Sequence, residues 1–302
     1  MTSDMIPPPQ TAPPAPVPPA ARPADPKRPR LLIRPRSGWG GIDLGEVWRH
    51  RELLWYLVLR DVQLRYKQAA FGVAWAVVQP VVAMLAFALF FGYLGGMGER
   101  IEGGIPYAIY VFCALLPWQL FSSGVTQAST SIVTNRGLVT KVYFPRALLP
   151  LAGVLCNLLD FAVSLVVLVG LMAWYGIVPG WSVLALPLLV LLAVAAAVGV
   201  SLWLSALNAI YRDVQYTLGF LIQVWLFATP VAYPSTIVPE RWRWLLGLNP
   251  MAGVVDGFRW CLLGADPPDA GLMLTSLVVV VLLLVGGSLF FRRLEKVFPD
   301  AV

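Results

Sequence analysis

Few side chains in this sequence are equipped for covalent chemistry. The one histidine is His50, so neither a Ser/His/Asp triad nor an imidazole metal site can be assembled inside an apolar segment. Cys113, Cys156 and Cys261 stand far apart without CxxC spacing and read as small apolar fillers, not as a metal site or a disulfide framework. No GxxxxGK run followed by Ser or Thr occurs, and none of the four lysines, Lys27, Lys67, Lys141 and Lys296, precedes a hydroxyl residue. The chain therefore binds no ATP through a P-loop. Two charged constellations remain. Asp160 lies inside an apolar run, where an unpaired carboxylate costs ~3 kcal/mol in a bilayer. It either relays a proton or makes a structural hydrogen bond to a neighbour such as Asn157 or Ser164. The lack of a second carboxylate or histidine within an apolar run favours the structural role. Asp256 and Arg259 have the i,i+3 spacing of a helical ion pair. Nothing here predicts an enzyme.

The elements that must position these groups are set by hydropathy. Of 302 residues, 58% are apolar and 13% charged, with a mean hydropathy of +0.73, which places the chain in the membrane class. The net charge of +6 does not point to nucleic acid, because the basic residues cluster beside apolar runs instead of on one soluble face. Apolar runs cover Ala69 to Tyr93, Tyr107 to Phe121, Leu148 to Tyr175, Val183 to Leu207, Leu218 to Ala232 and Leu272 to Phe291. Six transmembrane helices follow, the second and fifth needing a few more residues to cross ~30 Å of hydrocarbon. Eighteen of the 22 Lys and Arg residues then fall on one side, and only Arg100, Arg241, Arg243 and Arg259 on the other. That asymmetry predicts cytoplasmic N and C termini. The fold class is an all-α polytopic membrane protein.

Three segments outside the spans carry the remaining information. Residues 1–40 are proline-rich and then basic, which predicts a disordered cytoplasmic tail attracted to anionic lipid headgroups, with no signal peptide. Residues 41–68 read as an interface helix before the 69–302 transmembrane domain. Val58, Val62 and Tyr66 share one face, Asp61 and Arg65 can pair, and Trp48, Trp55 and Tyr56 sit at headgroup depth. From pattern alone this helix is a membrane anchor or a protein contact. Between the fifth and sixth spans, residues 229–264 hold two short apolar stretches, Glu240 to Leu248 and Met251 to Leu263, parted by Asn249-Pro250. Neither can cross, which predicts an external re-entrant helical hairpin, or one lying flat on the outer surface. The stretch from Ser122 to Arg146 is rich in Ser, Thr and Gln and reads as a cytoplasmic loop ending in an apolar Tyr143-Phe144 plug, suited to a protein contact or to tucking under the bundle.

Several motifs together resemble one family. Arg60 to Gln79 (RDVQLRYKQAAFGVAWAVVQ), Leu115 to Leu120 (LLPWQL), Lys141 to Arg146 (KVYFPR), Asn157 to Phe161 (NLLDF), Tyr211 to Val214 (YRDV) and Asn249-Pro250-Met251 with Phe258-Arg259 are similar to the membrane subunit of type 2 ABC exporters of polysaccharides. The resemblance runs from about residue 44 to 298. It implies an inner-membrane permease, multi-pass and homodimeric, docked on two copies of a separate ATPase subunit that binds ATP and Mg. The permease itself holds no cofactor and no metal. The implied cargo is a lipid-linked polysaccharide of O-antigen, capsule or teichoic acid type.

Carried onto this sequence, the resemblance assigns ATPase coupling to the interface helix (Arg60, Arg65, Tyr66) and to the loop bearing Arg136, Lys141, Tyr143 and Phe144. It assigns an external gate to the hairpin: Trp242, Trp244, Asn249, Pro250, Asp256, Arg259 and Trp260. The first and fifth spans would line a conduit in which Phe87, Phe90, Phe91, Trp225, Phe227 and Tyr233 offer ring faces to sugars, though helical phase lets only some face one pore. Two other transport readings stand beside it: an exporter of a drug or small lipid, and an ion-coupled secondary flippase using Asp160. A glycan-transfer enzyme finds no supporting constellation.

Overall fold

The structure, a computed structural model, describes residues 44–67, 74–101, 104–142, 144–295 and 298. The tail expected over residues 1–40 and Tyr143 lie outside the described residues. All regular structure among the described residues is helical. In chain order the α-helices are α1 (Leu44–Arg49), α2 (Arg51–Lys67), α3 (Ala74–Phe87), α4 (Tyr107–Thr134), α5 (Arg136–Lys141), α6 (Leu148–Leu155), α7 (Leu158–Tyr175), α8 (Leu186–Ile210), α9 (Asp213–Ala228), α10 (Glu240–Leu246), α11 (Ala252–Leu263) and α12 (Ala270–Leu294).

Among the described residues, five helical segments are long and apolar enough to cross a bilayer: Ala74–Leu94, Tyr107–Thr134, Leu148–Tyr175, Trp181–Ile210 and Ala270–Leu294. The remaining apolar run, the fifth in chain order, forms α9, which has 16 residues and so reaches ~24 Å. It begins before Leu218 and stops at Ala228, because Thr229 precedes Pro230 and takes an extended backbone (φ −92°, ψ 137°).

The centre of the bundle is α4, against which α3, α6, α7, α8, α9 and α11 all pack. Its first half, from Ile109 to Trp118, is buried throughout. The second half departs from the sequence expectation. Residues 122–134, read as the start of a cytoplasmic loop, continue the helix to Thr134. The hydroxyls are satisfied on the helix itself: Thr126 donates to Ser122 O (2.8 Å), Ser129 to Val125 O (2.6 Å) and Ser131 to Ala128 O (2.7 Å). Back-bonding of this kind leaves the backbone ladder intact while satisfying the hydroxyls, so the polar run is compatible with a helix that its buried face holds against the bundle.

Two apolar clusters occupy opposite ends. One joins the α4 first half with α7, α8 and α11. The other gathers Leu57 and Val58 of α2 with Ile132, Val139, Phe144, Ala206, Phe291 and Phe298, so both ends of the described chain meet at the α2 end of the bundle. Close helix approach holds α8 on α12: a Cβ on Gly287 would lie 2.7 Å from the Gly199 carbonyl. Here only glycine fits.

Candidate functional site

The helix read as interfacial is broken at His50 and then runs unbroken as α2. Its Val58–Val62–Tyr66 face turns toward the bundle, with Val58 buried and the other two half-buried, while Trp48, Trp55 and Tyr56 are 63–70% exposed. The expected Asp61–Arg65 pair is replaced. Arg60 takes Asp61 at 2.7 Å, which frees Arg65 to reach across to Asp160, 95 residues away.

Asp160 sits in the first turn of α7, just after the helix breaks at Cys156 and Asn157. Its two carboxylate oxygens accept from Arg65 Nη1 and from the Tyr66 hydroxyl. The other Arg65 nitrogen, Nη2, donates to Gln127 Oε1 of α4. The carboxylate thus ties α2, α4 and α7 into one knot. The neighbours expected to bind it do otherwise: Asn157 donates to Gly153 O (2.7 Å) and Ser164 to Ala76 O (3.1 Å). Gln127 was not singled out in the sequence; its place one turn beyond Ser123 on a polar helix face was the available signal.

The loop between α4 and α6 has two characters. Arg136 and Lys141 are exposed on α5, whereas Phe144 is 8% exposed and lies in the cluster with Leu57 and Val139. Phe144 is therefore anchored under the bundle. Beside it the Arg146 backbone and guanidinium donate to Glu295 at the end of α12. Burial pushes the Glu295 carboxyl above the usual carboxylate range, with Arg146 pulling the other way.

At the opposite end, α11 is buried along its whole length except Trp260, against α4, α8 and α12. The expected Asp256–Arg259 pair forms at 3.3 Å. The Arg259 side chain is 2% exposed, lies 3.8 Å over the Tyr110 ring and donates to Val231 O at 2.7 Å. A cation so placed shares its charge between a carboxylate, a ring face and a carbonyl. Asn249 is the second hub. Its Oδ1 accepts from Trp225 Nε1 (3.0 Å) and from the Met251 amide (3.0 Å), and its Nδ2 donates to Thr229 Oγ1 (2.8 Å). The end of α9 is thereby fixed to the turn before α11. Pro250 is buried, while Trp242 and Trp244 of α10 are about half exposed, at 48% and 53%.

The six conduit candidates separate. Phe87 and Phe91 stack on each other at 5.4 Å and pack against the core, and Trp225 meets Phe121 edge-on at 5.0 Å. Tyr233 is half-buried, its hydroxyl 3.4 Å from Phe227 O. Phe90 and Phe227 are 61% and 55% exposed. Phe90 lies on the π-helical turn Ala88–Leu94 that continues α3 and buries none of its residues, and Phe227 on α9, which buries only Leu218.

Comparison with known proteins gives one consistent picture. Residues 52–263 match the model of the ABC-2 type transporter family. The chain is 36% identical over 254 residues to an O-antigen export system permease protein RfbA of Myxococcus xanthus, covering 83% of this chain and 96% of that one. It is 31% identical over 210 residues to a protein of the same name from Klebsiella pneumoniae, covering 69% and 79%. Similarity extends to a polysialic acid transport protein KpsM of Escherichia coli, 24% identical over 215 residues.

Proposed function

The chain belongs to the ABC-2 type transporter family, and from that premise we propose that it is the membrane permease subunit of an ATP-driven exporter that moves a lipid-linked polysaccharide out of the cytoplasm. The observation that carries this reading is the 36% identity over nearly the full length of an O-antigen export permease. Hydrolysis of ATP with Mg belongs to a separate subunit present in two copies.

In this reading α9 completes a sixth crossing. It leaves the α2 end after Ile210, and the buried residues 229–232 extend it to the hairpin end. The eighteen basic residues gathered on the α2 side put that side, and both termini, in the cytoplasm of the inner membrane. Two copies of the permease pair through the apolar, largely uncovered faces of α3 and α9. A conduit forms where Phe90 and Phe227 meet their counterparts, and sugar C–H faces pass over their rings. The hairpin closes the outer end, with α11 as its fixed inner wall and α10 as its movable edge.

Coupling follows from the Asp160 knot. The exposed surface of α2 and the cations Arg136 and Lys141 receive the ATPase subunit. Displacement of α2 by the nucleotide cycle pulls on Asp160 through Arg65 and Tyr66, and so on α7 and α4 as rigid bodies. The alternative of an ion-coupled flippase needs Asp160 to titrate freely, yet both its oxygens are engaged by α2. Proteoliposomes holding the permease and its ATPase partner test the reading: glycan transfer requires both the partner and ATP. Transfer by the permease alone, driven by an ion gradient, overturns it.

A further inference from the structure

On its cytoplasmic half α4 carries Gln119, Ser122, Ser123, Thr126, Gln127 and Thr130, which at spacings of three and four residues share one helix face. This face is not covered. Ser123 and Thr126 are exposed and the other four half-buried, on a helix whose first half is sealed. Two cavities open over it. One of about 260 Å³ lies against Gln79 and Trp75 of α3, and one of about 360 Å³ reaches Ile222 of α9. They adjoin, since Arg65 and Ser123 line both.

The hydrogen-bond inventory of the walls is incomplete. Ser122, Thr126 and Thr130 spend their hydroxyl protons on α4 carbonyls at 2.8 to 3.4 Å, which leaves their oxygens able to accept. The side chains of Gln119 and Ser123 have no hydrogen-bond partner among the described residues. Asn157, 1% exposed and lining the smaller cavity, has an Oδ1 without a partner among the described residues. A polar stripe of this kind is costly against lipid tails and is expected to face water or a polar ligand. Among the described residues that line the two cavities Arg65 is the one cation, and Asp160 neutralises it, so these residues form a mixed donor and acceptor wall without free charge. That chemistry suits sugar hydroxyls, which both donate and accept, better than a phosphate.

We propose that the hydroxyl- and amide-bearing face of α4 from Gln119 to Thr130 is a contact surface for the sugar units of the transported glycan, holding them by exchangeable hydrogen bonds between α3 and α9. This rests on the polysaccharide-permease reading and adds a polar subsite to its aromatic conduit. The test uses the assembled transporter in proteoliposomes with its own lipid-linked glycan. Removing two hydroxyls with Ser123→Ala and Thr126→Val together is expected to lower glycan transfer roughly tenfold while ATP hydrolysis and protein abundance hold, and Thr126→Ser is expected to transfer at the parental rate. A second reading does not depend on variant activity. The native cysteines are buried, so Ser123→Cys supplies a reporter that a water-soluble thiol reagent should modify, more slowly when the purified glycan is present. Unchanged transfer in the double variant, or a Ser123→Cys thiol that is unreactive or unprotected by glycan, overturns the inference. If the parental transporter itself moves no glycan with ATP, the polysaccharide reading fails first.

Discussion

Two charged knots among the described residues are built differently, and in the proposed transport cycle the difference separates what is held from what moves. Near the hairpin, Asp256 and Arg259 are three residues apart on one helix, with side chains 11% and 2% exposed. The guanidinium is further fixed by Tyr110 and by the Val231 carbonyl. At the other end, Arg65 and Asp160 come from separate helices 95 residues apart, with side chains 32% and 28% exposed. A buried local pair of the first kind braces one rigid wall. A part-exposed pair of the second kind can open and close with the helix that carries it, at little cost in stability.

The strongest way to break this comparison is Arg259→Leu. It strands the Asp256 carboxylate in a buried site, and the expected loss is about 3–5 kcal/mol, read as a collapse of the thermal transition in detergent. Pairing it with Asp256→Leu should recover most of that loss, since an apolar pair needs no charge compensation. Next in size is Asn249→Ala, which leaves Trp225 Nε1 and Thr229 Oγ1 without their amide partner. About 1–3 kcal/mol is expected, together with faster proteolysis between α9 and α10. At the Arg65–Asp160 knot Tyr66→Phe removes one hydrogen bond while Arg65 still holds Asp160, and about 1 kcal/mol or less is expected. Smallest is Trp242→Ala on exposed α10, within about 0.5 kcal/mol of the parent. If Tyr66→Phe destabilised the fold as much as Arg259→Leu, the brace and the latch would not differ.

What was legible in the sequence follows the same division. The Asp256–Arg259 pair and the break at Asn249-Pro250 are written in local spacing, and both were visible. The Arg65–Asp160 bond was not, because local pattern offered Asp61 as the partner and the true one lies on another helix. The extension of α4 through residues 122–134 was hidden for a different reason. Ser and Thr weaken a helix where their hydroxyls compete for the backbone, and composition alone does not reveal that these hydroxyls bond the helix's own carbonyls. An aromatic beside Pro145 and Arg146 fits either a protein contact or a buried anchor, so local pattern leaves Phe144 undecided; the arrival of Phe291 and Phe298 from the far end of the chain decides it. Which conduit aromatics face outward was likewise set by tertiary packing. Helical phase could not know that Trp225 would be taken by Asn249.

The most direct measurement of the central claim is the ratio of glycan translocated to ATP hydrolysed by the assembled transporter carrying Asp160→Asn. With the latch weakened and the ATPase subunits intact, hydrolysis is predicted to continue near the parental rate while most translocation is lost. A variant that keeps the parental ratio, or that moves glycan without ATP, contradicts the account.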